Sequence, residues 1–200
     1  MSEQNRPSPT TGSAPRERLL LTAGQLFYTE GIRAIGMDRL LSEANVARAT
    51  FYRHFASKDE LAATYIQGQD LEIRTRFRSA QELTDEPTGL LRAVVIGISE
   101  TVCGPGFRGC PFINAAVEYP ADGSPIHQAV DAHRTWFHAT LLDLFIAAGH
   151  PEPEKAARRL VLLRDGAMIG GYLGTPDESI TSLRAGLDEL LAPCEAEKNR

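Results

Sequence analysis

The 200-residue sequence has little that suits a membrane span or a disulfide framework. It contains three cysteines and one tryptophan, and no segment approaches the roughly 18 consecutive apolar residues of a membrane helix. The first 15 residues lack the charged start and apolar run of a secretory signal. An odd number of cysteines without an export signal predicts free thiols. We therefore expect a cytoplasmic protein with no membrane partner.

Signatures of common catalytic and metal sites are also missing. We find no nucleophile elbow, phosphate-binding loop or Cys/His cluster. His127, His133 and His138 lie six and five residues apart, a spacing that does not place them on one helix face for a metal. The sequence therefore predicts no enzyme, no metal and no cofactor. An enzyme that uses Cys110 with His133 or a carboxylate is a competing hypothesis, and a constitutive architectural or protein-binding α-domain is another.

The charge is unevenly distributed along the chain. The net charge of −5 opposes nucleic-acid binding at first sight, because phosphate neutralisation supplies much of that affinity. Residues 1–66, however, contain 8 Lys/Arg and 7 Asp/Glu, whereas residues 67–200 contain 13 and 19. The first third is thus slightly basic. If the chain has a surface that binds nucleic acid, we expect it there.

Helical periodicity dominates the pattern, with no strand-like alternation, internal repeat or sustained heptad. We predict an all-α fold of about nine helices. Capping signals mark several starts: a capping box at Ser57 to Glu60, Ser124 before Pro125, and a second capping box at Thr175 to Glu178. Gly31 and Asn45 are predicted to end the first two helices in the left-handed conformation.

Composition divides the chain into three parts. Residues 1–14 are rich in Pro, Ser, Thr and Gly and are predicted to be a disordered arm. Residues 15–66 contain three short helices and the start of a longer fourth helix, which is predicted to continue to about residue 80. Residues 67–200 form the second domain, with the fourth helix joining the two.

The stretch ARATFYRHF at 47–55 carries the functional prediction. At 100° per residue, Phe51 and Phe55 share one narrow sector, whereas Ala49, Thr50, Tyr52 and Arg53 lie on the other side. A short helix anchored by aromatic residues and presenting small, hydroxyl and cationic groups suits the major groove of DNA. Together with the preceding helix it predicts a helix-turn-helix.

FYTEG (27–31) and MDRLLSEANVARATFYRHFASKDEL (37–61) resemble the TetR-type bacterial transcriptional regulators. The resemblance implies that Arg48, Ala49, Thr50 and Tyr52 meet the groove or its walls, that His54 and Lys58 hold phosphates, and that Met37 lies near the DNA backbone. Arg53 is added from helix geometry alone. The chain departs from the family pattern at Gly36, where threonine is usual, and at Asn45, where glycine is usual.

The resemblance also implies a regulator, most simply a repressor, that binds double-stranded operator DNA as a homodimer through its last two helices. The small residues Gly166, Ala167, Gly170 and Gly171 are predicted to permit close approach there. The middle helices would hold an unknown small-molecule effector, and CGPGFRGCPFINAAVEY (103–119) resembles the second domain of one subgroup. The predicted effector site comprises Phe107, Cys110, Phe112, Asn114, Glu118, His133, Trp136, Phe137 and Tyr172.

Cys103 and Cys110 favour an alternative, a redox-responsive regulator. Cys110 is predicted to begin a short helix, whose amino terminus stabilises thiolate, and Arg108 is expected nearby. The competing interpretation is that Cys110 is a small apolar core residue.

Overall fold

The computed structural model describes residues 14–120 and 123–198, which form nine α-helices and no β-strand. The predicted all-α fold of about nine helices is confirmed. Apart from Ala14, the predicted disordered arm lies outside the described residues. The helices are α1 Ala14–Glu30, α2 Met37–Ala44, α3 Arg48–His54, α4 Lys58–Leu83, α5 Pro87–Val102, α6 Pro111–Glu118, α7 Pro125–Ala147, α8 Pro153–Tyr172 and α9 Pro176–Lys198.

Local sequence signals define most helix ends. Five helices, α5 to α9, begin at a proline, whose fixed φ suits the first helical turn and whose missing N–H costs nothing there. Gly31 and Asn45 adopt φ of 95° and 49° after α1 and α2, as predicted. The Ser124 hydroxyl accepts a 3.0 Å bond from the His127 backbone N–H, confirming the predicted cap of α7.

The two predicted capping boxes have different outcomes. Ser57 accepts the Glu60 N–H at 3.1 Å, but the Glu60 carboxylate accepts from the Ala56 N–H, one residue earlier than a standard box requires. For the second box, the structure shows the Thr175 hydroxyl donating to the Gly170 carbonyl at 3.2 Å across the turn after α8, a bond that was not predicted.

The chain divides into two compact units, the first ending at Tyr65 and the second beginning at Ile66. This division lies one residue from the predicted boundary. In the first unit, α1 packs on α2 and α3, and Leu19, Leu40 and Phe51 are fully buried. In the second unit, α5, α7, α8 and α9 pack together and α6 packs on α7. Helix α4 contributes residues to both units.

Glycines allow close helix packing inside the second unit. A Cβ at Gly170 would lie 2.2 Å from Ser179 Oγ, and one at Gly171 would lie 2.3 Å from Val102 Cγ1. These two glycines therefore allow close contacts within the chain, and their predicted role in a contact between copies stays a prediction. Gly166 differs, because a Cβ there would meet nothing within 4 Å.

None of the helices in the described ranges combines the length and apolar character needed to cross a membrane.

Candidate functional site

The turn between α2 and α3 has a defined backbone geometry. Asn45 takes the left-handed conformation, and the N–H groups of Asn45 and Val46 donate to the carbonyls of Ser42 and Leu41 at 3.1 and 3.0 Å. From α1, Arg18 adds bonds to the carbonyls of Ala44 and Asn45 at 3.2 and 3.3 Å. Three of the four carbonyls left over at the end of α2 thus accept hydrogen bonds, which supports a rigid connection to α3.

Aromatic burial anchors α3. Phe51 is fully buried and Phe55 is 2% exposed, with their ring centroids 5.9 Å apart. Arg16 of α1 places its guanidinium carbon 5.4 Å from the centre of the Phe55 ring. One side of α3 is therefore committed to the core of the first unit, and the other side is left to solvent.

The opposite side of α3 carries the predicted DNA contacts. Arg48, Ala49, Tyr52 and Arg53 are exposed, with Tyr52 53% exposed despite its large ring, and Thr50, His54 and Met37 are partly exposed. The structure thus leaves all seven of these predicted contact residues wholly or partly accessible. Whether they contact DNA stays a prediction.

The side chains of Arg48 and Arg53 have hydrogen-bond partners within the chain. Arg48 Nη2 donates to Asp38 Oδ1 of α2 at 2.5 Å, and Arg53 Nη2 lies 3.4 Å from the Thr50 hydroxyl oxygen. The sequence reasoning missed Asp38. Pairing between α2 and α3 depends on how the two helices cross, which residue spacing does not reveal.

Lys58, predicted to hold a phosphate, also has an internal role. Its Nζ donates to the carbonyls of Ile32 and Ile35, each at 2.9 Å, and so holds the turn between α1 and α2. An ammonium has three N–H donors, so one remains for a phosphate. The predicted contact stays a prediction, made by a lysine that is held in place.

Several predicted effector residues of the second unit pack around His133. The imidazole is 3% exposed and stacks on Phe112, with centroids 3.6 Å apart and planes 6° apart. Its Nδ1 lies 2.8 Å from Asp70 Oδ1 of α4. The ring centroids of Phe137 and Trp136 each lie 6.0 Å from the centroid of the imidazole. Burial lowers the pKa of His133 to about 4, despite the Asp70 hydrogen bond, which raises it. The ring is therefore neutral at pH 7 and donates Nδ1–H to the carboxylate.

A buried arginine that the sequence reasoning missed lies beside this group. Arg164 of α8 is 6% exposed, donates to Asp165 Oδ1 at 2.7 Å, and donates to Cys110 Sγ at 3.2 Å. Its guanidinium carbon is 5.6 Å from the Phe137 ring centre. The signal was available, because Arg164 continues the buried stripe of Ala157 and Leu160 at helical spacing. A charged residue in an apolar stripe needs partners, and here it has them.

The other predicted effector residues lie elsewhere. Asn114 donates from its amide to the Arg108 carbonyl at 3.0 Å. Tyr172 is 48% exposed. The guanidinium carbon of Arg108 lies 5.7 Å from the centre of its ring. Phe107 lies against Gly171, and Glu118 ends α6 half-buried. Apart from Glu118, the predicted set thus falls into a group packed around His133 and a more exposed group near the 104–109 turn.

The two cysteines of the redox alternative differ in access. Cys110 is fully buried and precedes α6, so the predicted position at the start of a short helix is confirmed. Cys103 is exposed. The guanidinium of Arg108, the predicted neighbour, lies over the Tyr172 ring, and Arg164, which was not predicted, contacts the Cys110 thiol.

A groove of about 480 Å³ runs along the paired surface of α8 and α9. Leucines and small residues dominate its lining, and Leu162 is 70% exposed there. Gly166 and Gly186 lie in the same groove. Such an apolar, accessible surface on the last two helices is the place where the sequence predicts a partner.

Within residues 14–120 and 123–198, no group of three or more His, Cys, Asp or Glu side chains is arranged to hold a metal ion.

Comparison with known proteins supports the reading of both units. A family model described as bacterial regulatory proteins, tetR family, matches residues 19–65. The crystal structure of SCO4454, a TetR-family transcriptional regulator from Streptomyces coelicolor, is similar with a TM-score of 0.86 and 43% identity, covering 90% of this chain and 95% of that one.

Two curated regulators show more limited similarity. The transcriptional activator FasR of Mycolicibacterium smegmatis is 34% identical over 80 residues, which cover 40% of this chain and 36% of FasR. The transcriptional regulator LmrA of Bacillus subtilis is 24% identical over 124 residues, covering 60% of this chain and 66% of LmrA. The match therefore spans about one third to two thirds of these relatives.

Proposed function

Because this chain belongs to the TetR family of bacterial transcriptional regulators, we propose that it binds a palindromic DNA operator as a homodimer and is released by a small-molecule effector. The observation that carries the proposal is the two-sided α3, with Phe51 and Phe55 buried and Ala49, Tyr52 and Arg53 exposed. A regulatory rather than an enzymatic role is part of this proposal, supported by the similarity to named transcriptional regulators.

In this proposal, α3 enters the major groove. Arg48 reads a guanine edge, Ala49 allows close backbone approach, and Thr50 and Tyr52 contact the groove walls. His54, Lys58 and Arg53 contact phosphates, and Met37 lies against the DNA backbone. One helix of seven residues reads few base pairs, so two copies spaced about 34 Å or a multiple apart are needed for adequate specificity.

The groove of α8 and α9 supplies the interface in this proposal. Two copies related by a twofold axis would each cover the other's Leu162 and Leu163. Burial of apolar area stabilises such a pair at about 25 cal/mol per Å² before association costs. The exposed glycine at 166 permits close helix approach.

The buried group around His133 is the proposed place where an effector acts. Asp70 belongs to α4 and bonds to His133 of α7, so a ligand that rearranges Phe112, His133 or Trp136 also changes the environment of α4. Effector and operator then oppose each other, each weakening the other's binding by the same factor.

We propose repression as the outcome. FasR is named an activator, so a reporter gene behind the operator decides the direction.

We expect Arg48→Ala to lower affinity for the preferred operator by about 1–3 kcal/mol, because one bidentate guanine contact is lost. The operator is obtained by selection from random-sequence DNA, and affinities are measured by fluorescence anisotropy at fixed salt. Arg33→Ala is a charge-matched control, since Arg33 is an exposed arginine of the same unit that lies outside α2 and α3.

The result also separates base reading from phosphate binding. A loss confined to sites with one particular guanine supports base reading, whereas an equal loss on every sequence makes Arg48 a phosphate contact. If the wild-type protein shows no salt-dependent, sequence-specific binding at nanomolar to micromolar concentration, the proposed function is wrong.

A redox-responsive regulator is a second candidate, favoured by the 3.2 Å contact between Arg164 Nη2 and Cys110 Sγ. Peroxide would oxidise the Cys110 thiol to a sulfenic acid and release water. Because Cys110 is fully buried and Cys103 exposed, we expect a maleimide to modify Cys103 at least about ten times faster in the folded protein. Mass spectrometry of digested samples measures the two rates.

The modification rates and a measurement of operator affinity together decide between the candidates. Fast modification of Cys110, together with an operator affinity that peroxide lowers in wild type but not in Cys110→Ser, would favour the redox mechanism. Cys103→Ser is the matched control. Protection of Cys110 favours the effector mechanism.

A further inference from the structure

A carboxylate lies on the face that is proposed to meet DNA. Asp38 is the second residue of α2 and is 94% exposed, and its Oδ1 accepts from Nη2 of Arg48, the first residue of α3. Arg48 is itself 52% exposed. A negative charge is unfavourable beside phosphates, so this pair needs an explanation beyond general solubility.

Helix electrostatics account for part of the pairing. Asp38 lies in the first turn of α2, where the helix dipole favours a negative charge, whereas Arg48 lies in the first turn of α3, where the dipole disfavours a positive one. The ion pair offsets that second effect. An exposed ion pair contributes little to folding stability, however, so stability alone is a weak reason for placing an acid here.

The bond leaves the recognition edge of the guanidinium available. Asp38 takes one N–H of Nη2, and the guanidinium has five N–H donors in a fixed fork. Whichever N–H of Nη2 is taken, one parallel pair of donors remains, either Nη1 with Nη2 or Nε with Nη2. Such a pair can bond O6 and N7 of guanine. A fixed guanidinium also loses less side-chain freedom on binding. To reach a phosphate outside the range of this fixed position, Arg48 would have to leave its carboxylate.

We propose that Asp38 is a specificity-determining residue that orients Arg48 for one guanine and discourages its use as a phosphate contact. This inference rests on the proposed DNA-binding function. It predicts that Asp38 governs discrimination between bases more than it governs total affinity, since removing its charge also removes a repulsion from every phosphate nearby.

The test is a double-mutant cycle with Asp38→Ala, Arg48→Ala and both together, measured on the selected operator and on variants with one base pair changed. A bidentate contact gives about 5- to 150-fold discrimination at its base pair. In Asp38→Ala we expect this ratio to fall at least about fivefold at the base pair that Arg48 reads, while affinity for random-sequence DNA is unchanged or higher. In the Arg48→Ala background, Asp38→Ala should leave the ratio unaltered.

Glu17→Ala is the matched control, because it removes the same charge from an exposed site on α1. It should leave discrimination at every base pair unchanged. Circular dichroism verifies that each variant is folded, which the exposure of Asp38 leads us to expect.

Two outcomes overturn the inference while leaving the proposed function intact. One is specific binding by wild type with unchanged discrimination in Asp38→Ala, and the other is a uniform loss on all sequences in Arg48→Ala. Wild-type protein that shows no sequence preference would overturn both the inference and the proposed function.

Discussion

Replacing Gly166 with arginine should prevent dimer formation and lower operator affinity by a factor of about 10²–10⁴, because the two half-sites are then bound independently. The protomer should tolerate the change, since a Cβ at Gly166 meets nothing within 4 Å. At a twofold interface each copy would bury an unpaired cation against leucines, which is strongly unfavourable. Analytical ultracentrifugation measures the oligomeric state, and fluorescence anisotropy measures operator affinity.

Ala139→Arg is the control for the added charge. Ala139 is exposed on α7, outside the proposed interface, so this variant should remain dimeric with nearly wild-type affinity. A Gly166→Arg protein that stays dimeric would show that two copies meet through a different surface.

Acid should destabilise the second unit through His133, by up to about 3 kcal/mol between pH 6.5 and pH 4. Burial lowers the pKa of His133 from 6.5 to about 4, so the unfolded chain takes up a proton in this range and the folded chain does not. Stability is therefore full above pH 6.5 and falls as the pH drops toward 4. Asp70, Arg74 and Arg164 are the charged groups that act on this ring.

Urea unfolding followed by tryptophan fluorescence measures this effect. Trp136 is the single tryptophan and its ring centre lies 6.0 Å from that of His133. Protein concentration must be fixed, because the proposed dimerisation would also stabilise the fold. His133→Asn, whose amide can still donate to Asp70, should show a much flatter pH dependence, whereas His138→Asn on the same helix should keep it.

Carboxylates affect stability at a lower pH than His133 does, so the two effects can be distinguished. Burial alone would raise the pKa of Asp165, but hydrogen bonds from Arg134 and Arg164 lower it overall. Its contribution is present above its ordinary pKa of 3.8 and is lost as the pH falls toward its lower folded pKa. If His133→Asn kept the full dependence between pH 6.5 and 4, the imidazole would not be its source.

Local signals made the helices predictable. Proline at the start of α7, with Ser124 before it, specifies that end almost without regard to the rest of the fold. Thr175 shows where such reasoning stops. Its hydroxyl donates to the Gly170 carbonyl, a bond that depends on the path of the turn after α8 and not on the local sequence.

The candidate sites were predictable in part for a similar reason. The two faces of α3 follow from helical spacing alone, so Phe51 and Tyr52 were assigned to opposite sides correctly. The partners Asp38 for Arg48 and Arg164 for Cys110 were missed, because each pair joins different helices, whose crossing must be known before side chains can be matched. The roles of Gly170 and Gly171 likewise depend on the neighbours that they meet, Ser179 and Val102.

Helix α4 places a constraint on how this protein can evolve. Its 26 residues continue without a break through the division at Tyr65 and Ile66, so the chain has no linker there in which insertions are tolerated. Each residue added or removed would turn the rest of the helix by about 100° and shift it by about 1.5 Å. Recombination that exchanged effector specificities between relatives would therefore have to keep the number of residues in α4 unchanged. We expect crossovers within α4 to occur without insertions or deletions.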